Sequence, residues 1–292
     1  MTSDLNIREY VSIFLRGIIM GAVDIIPGVS GGTMALITGI YERLINAIGN
    51  IKIQTLKHLI RGEKQEFWDG VRAVDPFFMT TLLAGIGIAA LIMSQIVRVL
   101  LETYPVETYA LFFGIILASS VLIYREIERR GKDIFVLLIV GFVVGFVIAS
   151  LNPTSLGHTL PMLFVTGAIA LCAMILPGIS GAYITLILNQ YEYLLNAIHT
   201  IALPEIIAYI TGGVVGLLAF SRTLQYLLRE HHAAMLAFLT GLMLGSTKML
   251  VNVITEGGGF GISAILFTIV GVALIGIMEF GKRRMATPVN SQ

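Results

Sequence analysis

The segment "DIIPGVSGGTMALITGIYERLINAI", residues 24–48, returns 150 residues later as "MILPGISGAYITLILNQYEYLLNAI", residues 174–198. Aligned without a gap, residues 14–48 and 164–198 are identical at 16 of 35 positions. Both copies carry a Pro-Gly-x-Ser-Gly break inside a strongly apolar stretch, and proline and glycine interrupt a helix at such a point. The chain is therefore predicted to be a duplication in which each half contains one broken helix.

The composition is that of a polytopic membrane protein. Hydrophobic residues make up 56% of the chain and charged residues only 13%, whereas a soluble domain has about 25% charged residues. The net charge of +1 gives no basic excess for binding nucleic acid, and the single Cys172 excludes a disulfide framework. Because no His, Cys, Asp and Glu set has ligand spacing, we expect neither a metal nor another cofactor. The N-terminal sequence has no pattern of a removable signal peptide.

Six further stretches are apolar enough to be ordinary spans, which need about 17–25 residues of helix. None of the six contains a charged residue, and the two that are slightly short extend past one basic residue each, Arg222 or Lys248. In chain order they are Phe77–Val97, Thr108–Tyr124, Ile134–Leu151, Ile206–Ser221, Ala233–Thr247 and Gly257–Met278.

The duplication extends beyond the broken helices. "LAGIGIAALIMSQ" in the first half matches "ITGGVVGLLAFSR" in the second at an offset of 127 residues. The offset is smaller than 150 because only the first half carries a polar insert at about 50–75, which is predicted to be an amphipathic helix on the cytoplasmic face. The two halves are residues 1–151 and 152–292.

The distribution of Lys and Arg predicts how each half lies in the membrane. Cytoplasmic loops carry an excess of these residues. If each broken segment enters the bilayer and returns to the same side, every basic loop lies inside and every loop without Lys or Arg lies outside. Each half is then one re-entrant helical hairpin plus three transmembrane helices. Since three is odd, the halves form an inverted-topology repeat, with both termini cytoplasmic.

Broken helices in inverted repeats are typical of transporters whose site lies near the midplane. The helix that follows each break presents free N–H groups, which suit an anion. The sequence therefore predicts that an anionic substrate meets Ser30, Gly31, Gly32 and Thr33 in one half and Ser180 and Gly181 in the other. The alternative is that these small residues only allow helices to pack closely.

The motifs PGVSGGT and PGISGA and the YE-x-x-x-NAI continuation resemble those of PopT, a family of bacterial polyprenyl-phosphate translocases, over nearly the whole chain. The resemblance implies a transporter in the cytoplasmic (inner) membrane that flips undecaprenyl phosphate from the outer to the inner leaflet, for recycling of this carrier lipid. Its partners would be that lipid and the bilayer. The sequence leaves the oligomeric state open.

Three arginines are candidate phosphate ligands, because guanidinium binds phosphate with paired hydrogen bonds. Arg43 lies in the first hairpin, and Arg98 and Arg222 end spans. Arg98 lies towards the predicted outer side, where substrate would be captured. The alternative for each arginine is that it extends to the interface without binding substrate.

Three carboxylates in the hairpins are candidates for proton coupling or for structural support, since ionisable groups in membrane segments are costly and usually functional. Glu42 and Glu192 occupy equivalent places in the two copies, whereas the counterpart of Asp24 is Met174. Burial and a neighbouring phosphate both favour a protonated carboxylate. We therefore expect Asp24 to couple transport to protons and the glutamates to support the hairpins. The alternatives are a cap or an ion pair with Arg16 for Asp24, and pairing with Arg43 or backbone amides for the glutamates.

Two other functions fit parts of the sequence. Gly28–Gly32 matches G-x-S-x-G, as in a serine hydrolase, but no histidine lies in mid-span to activate Ser30. A duplicated nucleophile would also serve no purpose, so the protein is not expected to be an enzyme. A transporter of another small anion or ion with the same architecture remains open.

Overall fold

The computed structural model describes residues 7–24, 30–129, 131–151 and 157–286. Every regular element in this part of the chain is an α-helix, which agrees with the all-helical prediction. The helices are α1 (Ile7–Asp24), α2 (Gly31–Ile37), α3 (Tyr41–Gly49), α4 (Ile53–Ile60), α5 (Lys64–Ala73), α6 (Pro76–Thr103), α7 (Pro105–Glu126), α8 (Lys132–Ile148), α9 (Leu160–Ile175), α10 (Gly181–Ile187), α11 (Tyr191–His199), α12 (Leu203–Glu230), α13 (His232–Glu256) and α14 (Ile262–Ala286).

The apolar helices make this a polytopic membrane protein. By length and composition, α7, α12 and α13 can each cross a membrane, and a fourth span results if the pair Lys64–Ala73 and Pro76–Ala89, bent by 47°, is counted as one. Leu160–Ile175 and Ile262–Ile277 are shorter apolar helices. A helix also lies over each of the six predicted spans, although the count of six crossings stays a prediction.

The chain forms two compact units that do not follow its two sequence halves. The first unit contains Met1–Val97 and Leu151–Met235, and the second contains Arg98–Ser150 and Leu236–Gln292. Each unit thus combines corresponding segments of both halves. The duplicated segments 14–48 and 164–198 fall together in the first unit, with α12 and most of α6.

Within the first unit, the same close helix contact occurs in both copies. A Cβ on Gly17 of α1 would lie 3.1 Å from the Cα of Gly85 in α6, and would also meet the carbonyl of Leu82. A Cβ on Gly167 of α9 would lie 3.1 Å from the nitrogen of Gly213 in α12, and would meet the carbonyl of Tyr209. Leu82 and Tyr209 are separated by the 127-residue offset of the duplication. Small residues therefore bring α1 onto α6 and α9 onto α12 in the same way.

The second unit contains close glycine contacts between α7 and α14 and between α8 and α13. A Cβ on Gly114 would overlap the backbone of Thr268, and one on Gly141 would overlap the backbone of Phe238. Each pair joins a helix from one half of the sequence to a helix from the other half. Gly114 in α7 and Gly241 in α13 are separated by the same 127-residue offset, so α7 corresponds to α13 and α8 to α14. The two helix contacts are therefore equivalent.

The segment after each break, the predicted returning arm of the hairpin, forms two short helices. Its length, from Thr33 to Ile48 in the first copy, predicts a single helix instead. In the first copy, α2 ends at Ile37 and α3 begins at Tyr41. Gly39 between them has φ +74°, and Asn189 at the equivalent point of the second copy has φ +56°. Glycine and asparagine tolerate this left-handed conformation best, and it ends a helix.

The polar insert also differs from the single amphipathic helix that was predicted. It forms α4 and α5, which are separated at Gly62, a residue with φ +76°. His58 in α4 contacts Glu63 just before α5. A left-handed glycine after the last helical turn is a common helix stop, so the turn accounts for the division.

Candidate functional site

The two Pro-Gly-x-Ser-Gly motifs touch each other through Ser30. Its side chain is 1% exposed and begins α2 as the N-cap, where its oxygen accepts a hydrogen bond from the Gly32 N–H at 3.1 Å. The Ser30 hydroxyl lies 3.2 Å from the carbonyl oxygens of both Met174 and Leu176, at the end of α9. The first motif is therefore bonded directly to the segment that opens the second.

Thr33 makes the second link between the motifs. The Gly178 N–H donates to Thr33 Oγ1 at 2.8 Å, and Thr33 is fully buried. Gly178 has φ +88°, a conformation that favours glycine and turns this N–H toward the other motif. Ser30 is also bonded to backbone carbonyls just before the second motif. Both hydroxyls of the first motif therefore have hydrogen-bond partners in the backbone at the second motif.

Asp24 caps the same helix that Ser30 begins. Its Oδ1 accepts a hydrogen bond from the Gly31 N–H at 2.5 Å. The carboxylate is an anion at the positive end of α2, where negative charge is stabilised. Of the two structural alternatives for Asp24, a cap or an ion pair with Arg16, the cap is therefore the one observed. The break itself, residues 25–29 with Pro27 and Gly28, lies outside the described residues.

The glycines of both motifs lie at close approaches. A Cβ on Gly31 would overlap the Asp24 carboxylate, and one on Gly32 would lie 2.8 Å from the Ile175 carbonyl oxygen. In the second motif, a Cβ on Gly181 would lie 2.6 Å from the Ala170 carbonyl oxygen. The glycines thus permit close packing at this place, where the Gly31 and Gly32 N–H groups are bonded to Asp24 and Ser30.

The second motif is built like the first but has different neighbours. Ser180 is the N-cap of α10, and its Oγ accepts a hydrogen bond from the Tyr183 N–H at 3.4 Å. One turn further, Thr185 Oγ1 bonds the Gly181 carbonyl at 2.9 Å and lies 3.0 Å from the Tyr209 hydroxyl of α12. Thr185 and Tyr209 are site residues that the sequence motifs do not indicate.

An apolar pocket of about 370 Å³ opens beside the second motif. Its walls come from α9, α10, α11 and α12, and the lining residues that carry a hydroxyl are Thr185, Tyr191 and Tyr209. The lining residues include Leu171, Met174, Gly181, Ala182, Leu194, Ile206 and Ile210. Its size is in the range of small-molecule sites, and its lining suits hydrocarbon.

Two of the three candidate arginines, Arg43 and Arg222, have different contacts. Arg43 bonds Glu9 at 2.9 Å and Asp75 at 2.8 Å, and its guanidinium lies 4.5 Å from the centre of the Phe78 ring. These contacts hold α3 to the start of α1 and α6. Arg222 lies in α12 on an exposed face, and its Nη2 donates to the Ile51 carbonyl at 2.9 Å. Arg98 is in α6, but its side chain lies outside the described part of the structure.

The two equivalent glutamates lie away from the contacts between the motifs. Glu42 in α3 lies 2.7 Å from His232 Nε2, and its side chain is about half exposed. Glu192 in α11 is exposed. Arg43 is thus bonded to Glu9 and Asp75, and Glu42 to a histidine that the sequence analysis did not connect with it. Among the described residues, no group of three or more His, Cys, Asp or Glu is placed to hold a metal ion.

The contacts of Ser30 bear on the hydrolase alternative. An activated serine donates its hydrogen to a base, usually a histidine. Here the hydroxyl lies against two backbone carbonyls, which can accept a hydrogen bond but cannot take up the proton. The observed geometry is that of a structural or binding hydroxyl.

The fold and these contacts define the class of protein: a polytopic helical membrane protein whose two duplicated helix-break motifs bond to one another in its buried interior. The chain belongs to the undecaprenyl phosphate translocase-like family. The model of that family, VCA0040-like, matches residues 20–256, which include both motifs.

Two relatives agree with this assignment. The chain is 41% identical over 239 residues to the polyprenyl-phosphate transporter of Vibrio cholerae serotype O1, an alignment that covers 82% of this chain and 76% of the relative. It is 28% identical over 250 residues to the polyprenyl-phosphate transporter of Staphylococcus aureus, with 80% and 83% covered. No solved structure matches the chain.

Proposed function

We propose that the protein transfers a polyprenyl phosphate across the bacterial cytoplasmic membrane, from the outer to the inner leaflet, and so returns the carrier lipid for reuse. The family and the names of the two relatives support this substrate class. The observation that carries the proposed mechanism is the contact between the motifs, in which Ser30 and Thr33 bond the backbone around Gly178.

In this mechanism the phosphate takes the place of contacts that the motifs make with each other. Thr33 and Ser30 are buried and hydrogen-bonded to the backbone at the second motif. In the proposed mechanism this is the conformation in which the two motifs are closed against each other. Polar groups withdrawn from water need replacement partners when they separate. Phosphate oxygens accept hydrogen bonds from hydroxyls and from backbone N–H groups, and thus supply the partners that opening removes.

Asp24 is the proposed link between substrate and protons. Its carboxylate holds the Gly31 N–H, one of the donors that a phosphate would use. When the phosphate arrives, two anions compete for one helix end, and repulsion favours protonation of the carboxylate. Release of the phosphate on the cytoplasmic side restores the cap and frees the proton there.

The apolar pocket favours a lipid over another small anion. It adjoins Gly181 and is lined mainly by hydrocarbon, so the first isoprene units could lie in it while the phosphate meets the motifs. A transporter of a small inorganic anion has no use for such a pocket.

A tryptophan in the pocket tests the lipid part of the proposal. Ala182 lines the pocket and is exposed, so Ala182→Trp fills the space without disturbing buried packing. We expect this variant to transfer undecaprenyl phosphate at least about tenfold more slowly in liposomes, because an anchoring contact of about 1.4 kcal/mol is lost. Leu186→Trp, exposed on the same helix and outside the pocket, is the matched control. Equal rates for the two variants and the unchanged protein would remove the pocket from the transport path.

We further propose the inverted topology, with six crossings, two re-entrant hairpins and cytoplasmic termini. The equivalent contacts of Gly17 and Gly167 support a structural duplication, and the distribution of Lys and Arg supports the orientation.

Cysteine labelling checks this topology. After removal of Cys172, single cysteines at 55–70 should react with an impermeant reagent only from the cytoplasmic side. Cysteines at 153–158 and 200–203 should react only from outside. Reaction of residues 126–132 from outside would contradict the re-entrant hairpins, because that loop changes side if both segments cross.

A further inference from the structure

A basic cleft lies at the other end of the first hairpin, between α3, the start of α4 and the last turns of α12. A cavity of about 470 Å³ is lined by Asn46, Lys52, Arg222, Gln225 and Arg229, among others. A neighbouring cavity of about 490 Å³ shares Lys52 and Arg222 and adds Lys57. The YE-x-x-x-NAI motif thus places Asn46 in this cleft.

The charges around the cleft are predominantly positive. Four cations line the two cavities, namely Lys52, Lys57, Arg222 and Arg229. Two acidic groups lie close to them: Glu42 lines the first cavity and pairs with His232 at 2.7 Å, and Glu230 pairs with Arg229 at 2.9 Å. Lys52, Lys57 and Arg222 are the charged residues of the second cavity. A concave surface with one dominant sign concentrates ions of the opposite sign.

Several contacts fix the polar groups of this cleft. Arg222 Nη2 donates to the Ile51 carbonyl at 2.9 Å. Gln225 Nε2 lies 3.4 Å from Asn50 Oδ1, and Asn50 in turn bonds the Ala73 carbonyl at 2.9 Å. Gly49 permits this approach, since a Cβ there would lie 2.7 Å from Gln225 Oε1. A guanidinium oriented in this way offers a paired donor site for a phosphate.

We propose that the cleft binds a phosphate monoester at the cytoplasmic face, where it receives the headgroup after the headgroup leaves the motifs. This role rests on the proposed transfer of a lipid phosphate. A bias of Lys and Arg toward the cytoplasm requires only that the charges lie on that side. It does not require them to share one cleft with amide side chains that are bonded to each other and to the backbone. The same chemistry would also bind free inorganic phosphate, and the experiment separates the two sources.

The test is protection of Lys52 from acylation in the full-length purified protein in detergent, where ligand reaches the cleft without being transported. Labelling is followed by mass spectrometry, with undecaprenyl phosphate, undecaprenol or inorganic phosphate added. Undecaprenyl phosphate at about ten times its Kd should slow labelling of Lys52 about tenfold. Labelling of Lys64, exposed on α5, should not change, and undecaprenol should protect neither lysine.

Variants show whether the cleft itself gives the protection. Arg222→Gln should abolish it, Arg222→Lys should restore part of it, and Arg61→Gln, which removes an exposed charge that does not line these cavities, should leave it intact. Protection by inorganic phosphate but not by the lipid would leave the cleft as a site for free phosphate and overturn its role in receiving the headgroup. Unchanged labelling with either phosphate, or full protection in Arg222→Gln, would overturn the proposal. If the protein transports the lipid but Lys52 is not protected, the proposed binding site in the cleft is wrong and the proposed transport stands. If Lys52 is protected but the protein moves no lipid, the proposed transport is wrong and the binding site stands.

Discussion

Replacing Gly31 with valine is expected to abolish transfer of undecaprenyl phosphate while folded protein remains in the membrane. A Cβ at this position would overlap the Asp24 carboxylate, and the branched side chain would cover the Gly31 N–H that the phosphate is proposed to use. A hydrogen bond to a charged group contributes about 1.5–3 kcal/mol, so its loss alone slows transfer about ten- to a hundredfold. The initial rate of transfer in liposomes is the measurement.

Gly87→Val is the matched control for this substitution. Gly87 lies in α6, and a Cβ there has no neighbour within 4 Å, so the same change in side chain should have little effect on transfer. Gly31→Ala should give a rate between those of the valine variant and the unchanged protein. If folded Gly31→Val transfers the lipid at the unchanged rate, the phosphate does not meet this motif.

Replacing Asp24 with asparagine should remove the response of transfer to a pH gradient. The asparagine oxygen can still accept the hydrogen bond from Gly31, so the cap and the motif contacts should persist. The side chain can no longer gain or lose a proton in the range of physiological pH. In liposomes with an imposed gradient, the variant should move undecaprenyl phosphate at one rate whichever side is acidic.

The control for this prediction is Glu66→Gln, which removes an exposed carboxylate of α5. It should respond to the gradient as the unchanged protein does. An Asp24→Asn protein that still follows the gradient would exclude Asp24 from coupling and leave it as a helix cap only.

The sequence predicted the features that depend on local composition and on the duplication. A helix lies over each predicted span, and a new helix follows each of the two repeated breaks. Lack of charge, and proline and glycine at a break, are properties of neighbouring residues, so one sequence suffices to show them.

The division of the returning arms was missed although the signal was present. Gly39 and Asn189 stand at the same point of the two copies, and they are the residue types that accept a positive φ. The length of each arm, which suits one crossing of the bilayer core, suggested one continuous helix. Two matching residues of this kind are better interpreted as a shared turn.

The contacts that form the site could not be derived from the sequence. Ser30 and Leu176 are 146 positions apart, and only the packing of α2 against the end of α9 brings them together. The basic cleft was missed for the same reason. The distribution of Lys and Arg predicted on which side Lys52 and Arg229 lie, but not that they share a cavity with Arg222.

The most direct test of the account uses the unchanged protein in sealed liposomes that carry undecaprenyl phosphate in both leaflets. A phosphatase added outside hydrolyses the outer-leaflet lipid at once. If the protein transfers the lipid through the paired motifs, hydrolysis continues until the inner-leaflet lipid is also consumed, and it stops at the outer-leaflet fraction with Gly31→Val. Hydrolysis that stops at that fraction with the unchanged protein, at every pH gradient applied, would contradict the central claim.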